Sequence, residues 1–392
     1  MAFPKITRFK GLNNVADPLR LKLGWLSVAD NVDISNTAAL ETRRGYTRRV
    51  TAAVTGAFNT SDHRRVYVTT PDNISRLMPG NTLQVVAPLS STARMHWAEV
   101  NKRVYFNNGV DSGIISEDDR VVSWRWPEPV ALGVSGVSGS LPAGTYQALC
   151  TYLMPDGRET GASTASAVIL PEGSGLQITG VPQTAGVTTL VYIAPANSST
   201  FQLYGPVTSS SLVWSATPDS LGTNLSTAFL DPLPLGTDVI QHWRGQMYAA
   251  QYMPAINQTA VWFSEPLGYH LFNLNSGYLL VPGHVLALAP TESDLIIGTD
   301  VGIYAYNGER LDHLAPYGVV PGWAWVIDED SEKLLLWTTR GVCRAMPFEN
   351  LTQEYVSVPP GRQAGVALVR ADGHKKFVAN LVAGGTAFNQ RQ

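Results

Sequence analysis

Apolar positions along the chain fall mostly two apart, in short runs that stop at Gly, Pro, Asn or Asp. HRRVYVTT at 63–70 and KRVYFN at 102–107 are two such runs. An alternation of this kind predicts half-buried strands rather than helices. No helical spacing lasts three turns. The closest stretch, 17–30, is short and contains Gly24. The runs group into units at 63–86, 94–126, 238–263, 285–313, 322–344 and 364–380, each an apolar strand, a polar turn, an aromatic-rich strand and a third strand. The units recur roughly every 35–45 residues, the period of β-propeller blades.

A different texture separates the second unit from the third. Residues 133–140 read GVSGVSGS, which predicts a flexible linker. The segment after it is nearly free of charge and rich in Ser, Thr, Ala and Gly. Tyr146, Ala148, Cys150 and Tyr152 alternate along one strand, and Pro155-Asp156-Gly157 predicts a hairpin turn. Further strands are expected at 175–178, 188–194, 202–205, 211–215 and 226–230. Six or seven short strands in about 100 residues suit an immunoglobulin- or fibronectin-like sandwich. A proline-rich stretch, DPLPLG at 231–236, closes the region. The expected fold is therefore all-β: a β-propeller-like domain (1–132 and 237–392) interrupted by an inserted immunoglobulin/fibronectin-like β-sandwich (133–236). Other all-β sandwiches or barrels are the alternative. In a propeller, the N-terminal strands would pair with the C-terminal ones and remove the exposed sheet edges.

Charge narrows the function. Of 392 residues 28 are basic and 31 acidic, a net −3, so the strong positive excess of a general nucleic-acid binder is missing. Hydrophobic residues make up 44% and there are 10 tryptophans, which excludes a disordered chain. The start of the chain has no apolar core of signal-peptide length, and the longest apolar stretch, 278–290, is broken by Pro282, Gly283 and His284. No membrane span is expected. Cys150 and Cys343 read as two buried free thiols.

Catalytic patterns are missing. The chain contains no GxSxG, HExxH, GxxxxGK[ST] or GxGxxG followed by a helix, and its seven histidines are scattered. No enzyme, cofactor or metal is expected. The acidic triplets 117–119 and 328–330 read as solvated hairpin turns rather than calcium sites. Arg43, Arg44, Arg48 and Arg49 form a basic patch that could contact a neighbouring subunit or the phosphates of DNA in a channel; a solvated strand edge is the plainer reading. Trp243, Trp262 and Trp323 could stack on sugars if exposed, although aromatics at strand positions are more often core. A glycan-degrading enzyme would need two converging carboxylates, and the sequence nominates no pair.

The segment 9–46 reads FKGLNNVADPLRLKLGWLSVADNVDISNTAALETRRGY. Gly11, Asn13, Asn14 and Pro18, followed by Ala29, Asn31, Val32, Asp33, Ile34, Arg43, Arg44, Gly45 and Tyr46, resemble the opening signature of tailed-bacteriophage virion proteins. The family it resembles is the tail nozzle (tail tubular protein B-like) of short-tailed phages. Ala38 and Ala39 stand where that family often has a glycine turn. The resemblance implies a non-enzymatic structural subunit of the virion tail, made in the host cytoplasm. It further implies a homo-oligomeric, six-fold ring around the DNA exit channel, with an adaptor ring and fibres or a needle as neighbours. Low charge, many aromatics and no catalytic constellation fit a subunit that buries wide interfaces. The alternative is a propeller at the tail periphery that binds host-surface glycan.

Overall fold

The computed structural model describes residue 6 and residues 8–35, 37–43, 45, 47–371 and 374–384. Five meandering sheets form blades of a propeller-like domain. Blade 1 holds Gly56–Asn59, Val66–Thr69, Asn73–Met78 and Thr82–Pro88. Blade 2 holds His96–Val100, Arg103–Asn107, Ser112–Ile115 and Val121–Val122. Blade 3 runs through Thr237–Trp243, Gln246–Met253 and Gln258–Glu265, and Gly268–Phe272 and Tyr278–Pro282 both pair with its third strand. Blade 4 is Val285–Pro290, Leu295–Thr299, Ile303–Tyr306 and Leu311–Ala315. Blade 5 is Trp325–Asp328, Lys333–Thr338, Gly341–Arg344 and Glu349–Asn350. A last hairpin, Gln363–Ala371 with His374–Val382, takes Gly322–Trp323 as a parallel third strand.

Each blade is too thin to bury its own faces, so neighbours share cores. Tyr67 and Ile74 of blade 1 pack with Trp97, Val104 and Phe106 of blade 2. Ala98 and Tyr105 of blade 2 pack with Ile240, Met247 and Phe272 of blade 3. Val261 meets Leu288 and Ile297 between blades 3 and 4, and Ile296 meets Leu336 and Trp337 between blades 4 and 5. Tryptophan N–H groups stitch the seams: Trp124 donates to the Tyr269 carbonyl (2.9 Å) and Trp243 to that of Thr291 (2.8 Å).

Seven strands between blades 2 and 3 form a sandwich of two sheets. One sheet is Gly133–Leu141, Ser174–Thr179 and Ser211–Trp214; the other is Ser166–Leu170, Gly144–Leu153, Thr188–Ala194 and Gln202–Pro206. Its core of Tyr146, Ala148, Cys150, Leu176, Ile178, Val191, Ile193 and Trp214 is its own. The Asp-Gly turn forms as expected, with Gly157 N–H donating to Met154 O (2.9 Å) at φ 85°.

Three expectations are corrected, and a fourth, that no sustained helix forms at 17–30, holds. The Gly/Ser run 133–140 is not a flexible linker but most of a nine-residue strand paired with Ser174–Thr179. A Cβ on Gly139 would lie 2.6 Å from Ser174 O and Gly175 N, so this glycine permits close strand contact rather than motion. Residues 226–230 are a turn, with Phe229 at φ 61°, instead of a strand. The 17–30 stretch holds a single 3-10 turn, Pro18–Arg20, and the two-residue strand Trp25–Leu26. The N- and C-terminal strands do not pair: among the described residues Gly56–Asn59 pairs only with Val66–Thr69. Side chains of the N-terminal arm make the connection instead.

Candidate functional site

The arm, residues 8–43, is built on the signature residues. Gly11–Leu12 pairs in parallel with Trp25–Leu26. Asn13 Oδ1 accepts from Ala16 N–H (3.0 Å), and the Asp17 carboxylate caps the turn that Pro18 starts by accepting from Leu19 N–H (3.0 Å). Asn14 reaches the far end of the chain. Its backbone N–H donates to Tyr355 O (3.0 Å), its amide donates to Ser357 O (2.8 Å), and its Oδ1 accepts from Ser357 N–H (2.7 Å). Trp25 stacks on Tyr355, ring centres 5.2 Å apart and 11° from parallel. Asp33 pairs with Lys376 of the last hairpin at 3.0 Å. The turn of the Val32–Ile34/Leu40–Thr42 hairpin keeps a glycine-like geometry, with Ala38 at φ 62°. Three apolar side chains of the arm face solvent among its exposed charges: Leu19 is 93% exposed, and Leu23 and Val28 are each 67% exposed.

Of the four candidate arginines, Arg43, Arg48 and Arg49 are described. Arg43 is exposed just past Leu40–Thr42, and its backbone N–H donates to Asn31 O (3.0 Å). Arg48 turns its guanidinium onto the carbonyls of Val50 (2.8 Å), Thr51 and Ala52. Arg49 is exposed, and Arg44 lies outside the described residues.

The propeller axis is closed. The first strands of blades 2, 3 and 4 meet 322–325 around a void of about 10 Å³, lined by His96, Ile240, Leu286, Ala287, Trp323 and Trp325. That void is no larger than one water. Arg94 lies over the Trp323 ring, 5.2 Å from its centre, and burial lowers the Arg94 pKa to about 10. Burial likewise pushes His96 down to about 4. The Asp238 carboxylate, 3.7 Å away, raises the His284 pKa instead. None of these groups lines the clefts beside the sandwich at Glu128 and Asp231 or at Trp126 and Arg158.

The aromatic candidates for sugar stacking are turned inward. Trp243 is 4% exposed under the Arg244 guanidinium, Trp262 packs on Tyr278, and Trp323 is half-buried at the axis. The acidic triplets lie at hairpin turns as expected, with Glu117, Asp118, Glu329 and Asp330 exposed and only Asp119 and Asp328 partly buried. Asp119 accepts from the Tyr67 hydroxyl (2.6 Å) and pairs with Arg76, while Asp328 and Asp330 hold Lys375 of the last hairpin. Among the described residues no group of three or more His, Cys, Asp or Glu gathers, and no helix is long and apolar enough to cross a membrane. Cys150 and Cys343 are buried free thiols.

Sequence reasoning missed the junction of sandwich and propeller. Glu128, on the linker entering the sandwich, meets Asp231, on the linker leaving it, beside a cleft of about 640 Å³. Burial, with the Asp231 carboxylate beside it, pushes the Glu128 carboxyl up to about 7. A signal existed: both acids adjoin prolines, in WPEPV and DPLPLG.

No family model and no curated protein matches the chain. Among solved structures it is similar to the extracellular domain of a one-component system from B. thetaiotaomicron, with 11% identity over 84% of this chain and a TM-score of 0.32. The chain spans only 38% of that domain's length. It is also similar to AztD from Citrobacter koseri, with 11% identity, 89% of each chain covered and a TM-score of 0.26. A third likeness, to dipeptidyl peptidase 4 of Porphyromonas gingivalis, has 9% identity, covers 83% of this chain and 46% of the peptidase, and has a TM-score of 0.28. Scores this low say nothing of this chain's activity.

Proposed function

We propose that this chain is a non-enzymatic structural subunit of a short-tailed phage tail, a nozzle or tail-hub ring around the DNA exit channel. The observation that carries the reading is the N-terminal arm. Asn14, one of the residues resembling the virion signature, fastens the arm beside Tyr355 and Ser357, and Asn13 and Pro18 shape it nearby. Fastened there, it holds Leu19, Leu23 and Val28 in solvent. Large apolar side chains held outward by a well-bonded segment suit burial against a neighbour. The closed axis adds a constraint. DNA would pass through a lumen formed between subunits, not through the propeller itself. A six-fold closed ring meets this with one heterologous contact repeated. The adaptor ring, fibres or needle would be its neighbours in the virion.

The test is symmetry. Electron microscopy of intact particles should show six-fold density on the tail axis, and light scattering of the purified chain should report whether it closes a ring alone. Leu19→Asp with Leu23→Asp should abolish incorporation into particles and leave the circular dichroism and melting of the isolated chain unchanged. A monomer, or a trimer at the tail periphery, together with normal incorporation of that variant, would overturn the reading.

A further inference from the structure

The junction between sandwich and propeller has only two covalent connections, and an acid stands on each. Glu128 lies between Pro127 and Pro129 on the incoming linker. Asp231 precedes Pro232 on the outgoing linker and is fixed to blade 3, where it exchanges backbone hydrogen bonds with Phe272 (2.8 Å each). The sandwich backbone presses on both. A Cβ on Gly161 would lie 1.7 Å from the Leu230 carbonyl oxygen and 3.1 Å from Glu128 Oε1. The outgoing linker is held in a conformation its sequence disfavours: Phe229, 84% exposed, has φ 61°.

We propose that Glu128 and Asp231 form a pH-sensitive latch that holds the inserted sandwich against the propeller while one of the two carboxyls is protonated, and loosens it when both are charged. Two carboxylates in contact repel; one shared proton turns the repulsion into a hydrogen bond. Arg125, on the same linker as Glu128, donates to the carbonyls of Leu233 and Pro234. The cleft beside the pair is lined by Ser163, Thr164 and Phe201 of the sandwich, Asn224 of the outgoing linker and Asn275 of blade 3. Glu128 and Asp231 are the only titratable groups lining it among the described residues.

The sign follows from the direction of the shift. The docked state binds the Glu128 proton more tightly than an undocked linker, whose carboxyl would titrate near its ordinary 4.5. Docking is therefore strongest below that value and weakens as pH rises toward about 7. His270 works in the opposite sense. Its ring N–H donates to Glu159 O (2.9 Å) across the same junction, and burial lowers its pKa, so its protonation at acid pH opposes docking. Arg158 crosses the junction too, donating to Ser123 O (2.8 Å) and pairing with Asp156.

Hydrogen exchange of the full chain, corrected for the intrinsic effect of pH, tests the latch. Peptides covering 125–132 and 228–236 should be protected about ten-fold better at pH 5 than at pH 8, while blade 4 is unchanged. Glu128→Gln donates to Asp231 at every pH and should remove the loss of protection toward pH 8, leaving only the opposite dependence of His270. Asp231→Asn should do the same from the other side. Equal protection of wild type at both pH values, or a loss of protection toward pH 8 retained in both variants, would overturn the proposal. So would protection at pH 8 restored by 1 mM calcium in wild type only, which would make the pair a cation site.

Discussion

The sandwich and the propeller are built from strands of similar length, yet they bury apolar surface in opposite ways. The sandwich closes its two sheets on a single core, with Leu176 and Ile178 facing Cys150 and Val191. In the propeller the described cores straddle blades: Phe272 of blade 3 belongs with Tyr105 of blade 2, and Val342 of blade 5 with Ile303 of blade 4. The sandwich can therefore lose its neighbours and keep its core. The blades cannot, because the loss of one face exposes two. An insertion between blades 2 and 3 survives only if something bridges the interrupted seam. Trp124 does so, edge-on to Tyr105 (5.2 Å) and bonded to the Tyr269 carbonyl, and Arg125 joins the two linkers by donating to Leu233 O and Pro234 O.

The strongest test of this contrast is Trp124→Ala. Trp124 is 1% exposed, and its loss should cost about 3–5 kcal/mol. Hydrogen exchange should show protection falling across 96–122 and 237–282 together, on both sides of the seam, with 144–153 and 188–194 unchanged. If the sandwich loosens equally, the two regions fold as one unit and the contrast fails.

A smaller effect in the other direction is expected from Gly139→Ala. The added methyl would strike Ser174 O and Gly175 N, and overpacking of this kind costs about 1–3 kcal/mol. A flexible linker would instead gain a few tenths, because alanine narrows the unfolded ensemble. Protection of 144–153 and 174–179 should drop while the blades keep theirs. A neutral or stabilising outcome would mean that 133–141 is not a paired strand in solution.

That position also shows where the chain was readable and where it was not. The blade strands were legible because short β-branched and aromatic runs end at turn residues, although 66–69 and 103–107 prove buried on both faces rather than one. The run 133–141 was not. A strand whose close neighbour is backbone needs glycine, and glycine leaves the same letters as a linker. Ring closure was misjudged for a related reason. The strand pattern cannot tell a paired edge from one bridged by the side chains of Asn14, Trp25 and Asp33. Arg48 of the Arg43–Arg49 patch turns onto its own chain, a local contact that the clustering of charges in the letters does not reveal. Glu128 and Asp231 lie 103 positions apart, far beyond the reach of spacing arguments, and only the return of the chain to blade 3 brings them together.

The smallest expected effect concerns the arm, which belongs to neither region. Ala38 sits at φ 62°, where a side chain crowds its own backbone and glycine does not. The turn is still made, with Ala38 N–H donating to Ser35 O (2.8 Å) and Ser35 N–H to Ala39 O (2.8 Å). Ala38→Gly should therefore relieve more strain in the fold than it adds freedom to the unfolded chain, a net gain of about 0.5 kcal/mol. Because the hairpin reaches the propeller through Asp33 and Lys376, the gain should appear as slower exchange across 32–42 and at 374–382, with the sandwich unaffected. A gain confined to 32–42 would mean that the arm is strapped to the propeller by Asn14 and Trp25 alone, and that the Asp33–Lys376 pair is an exposed contact of little energy.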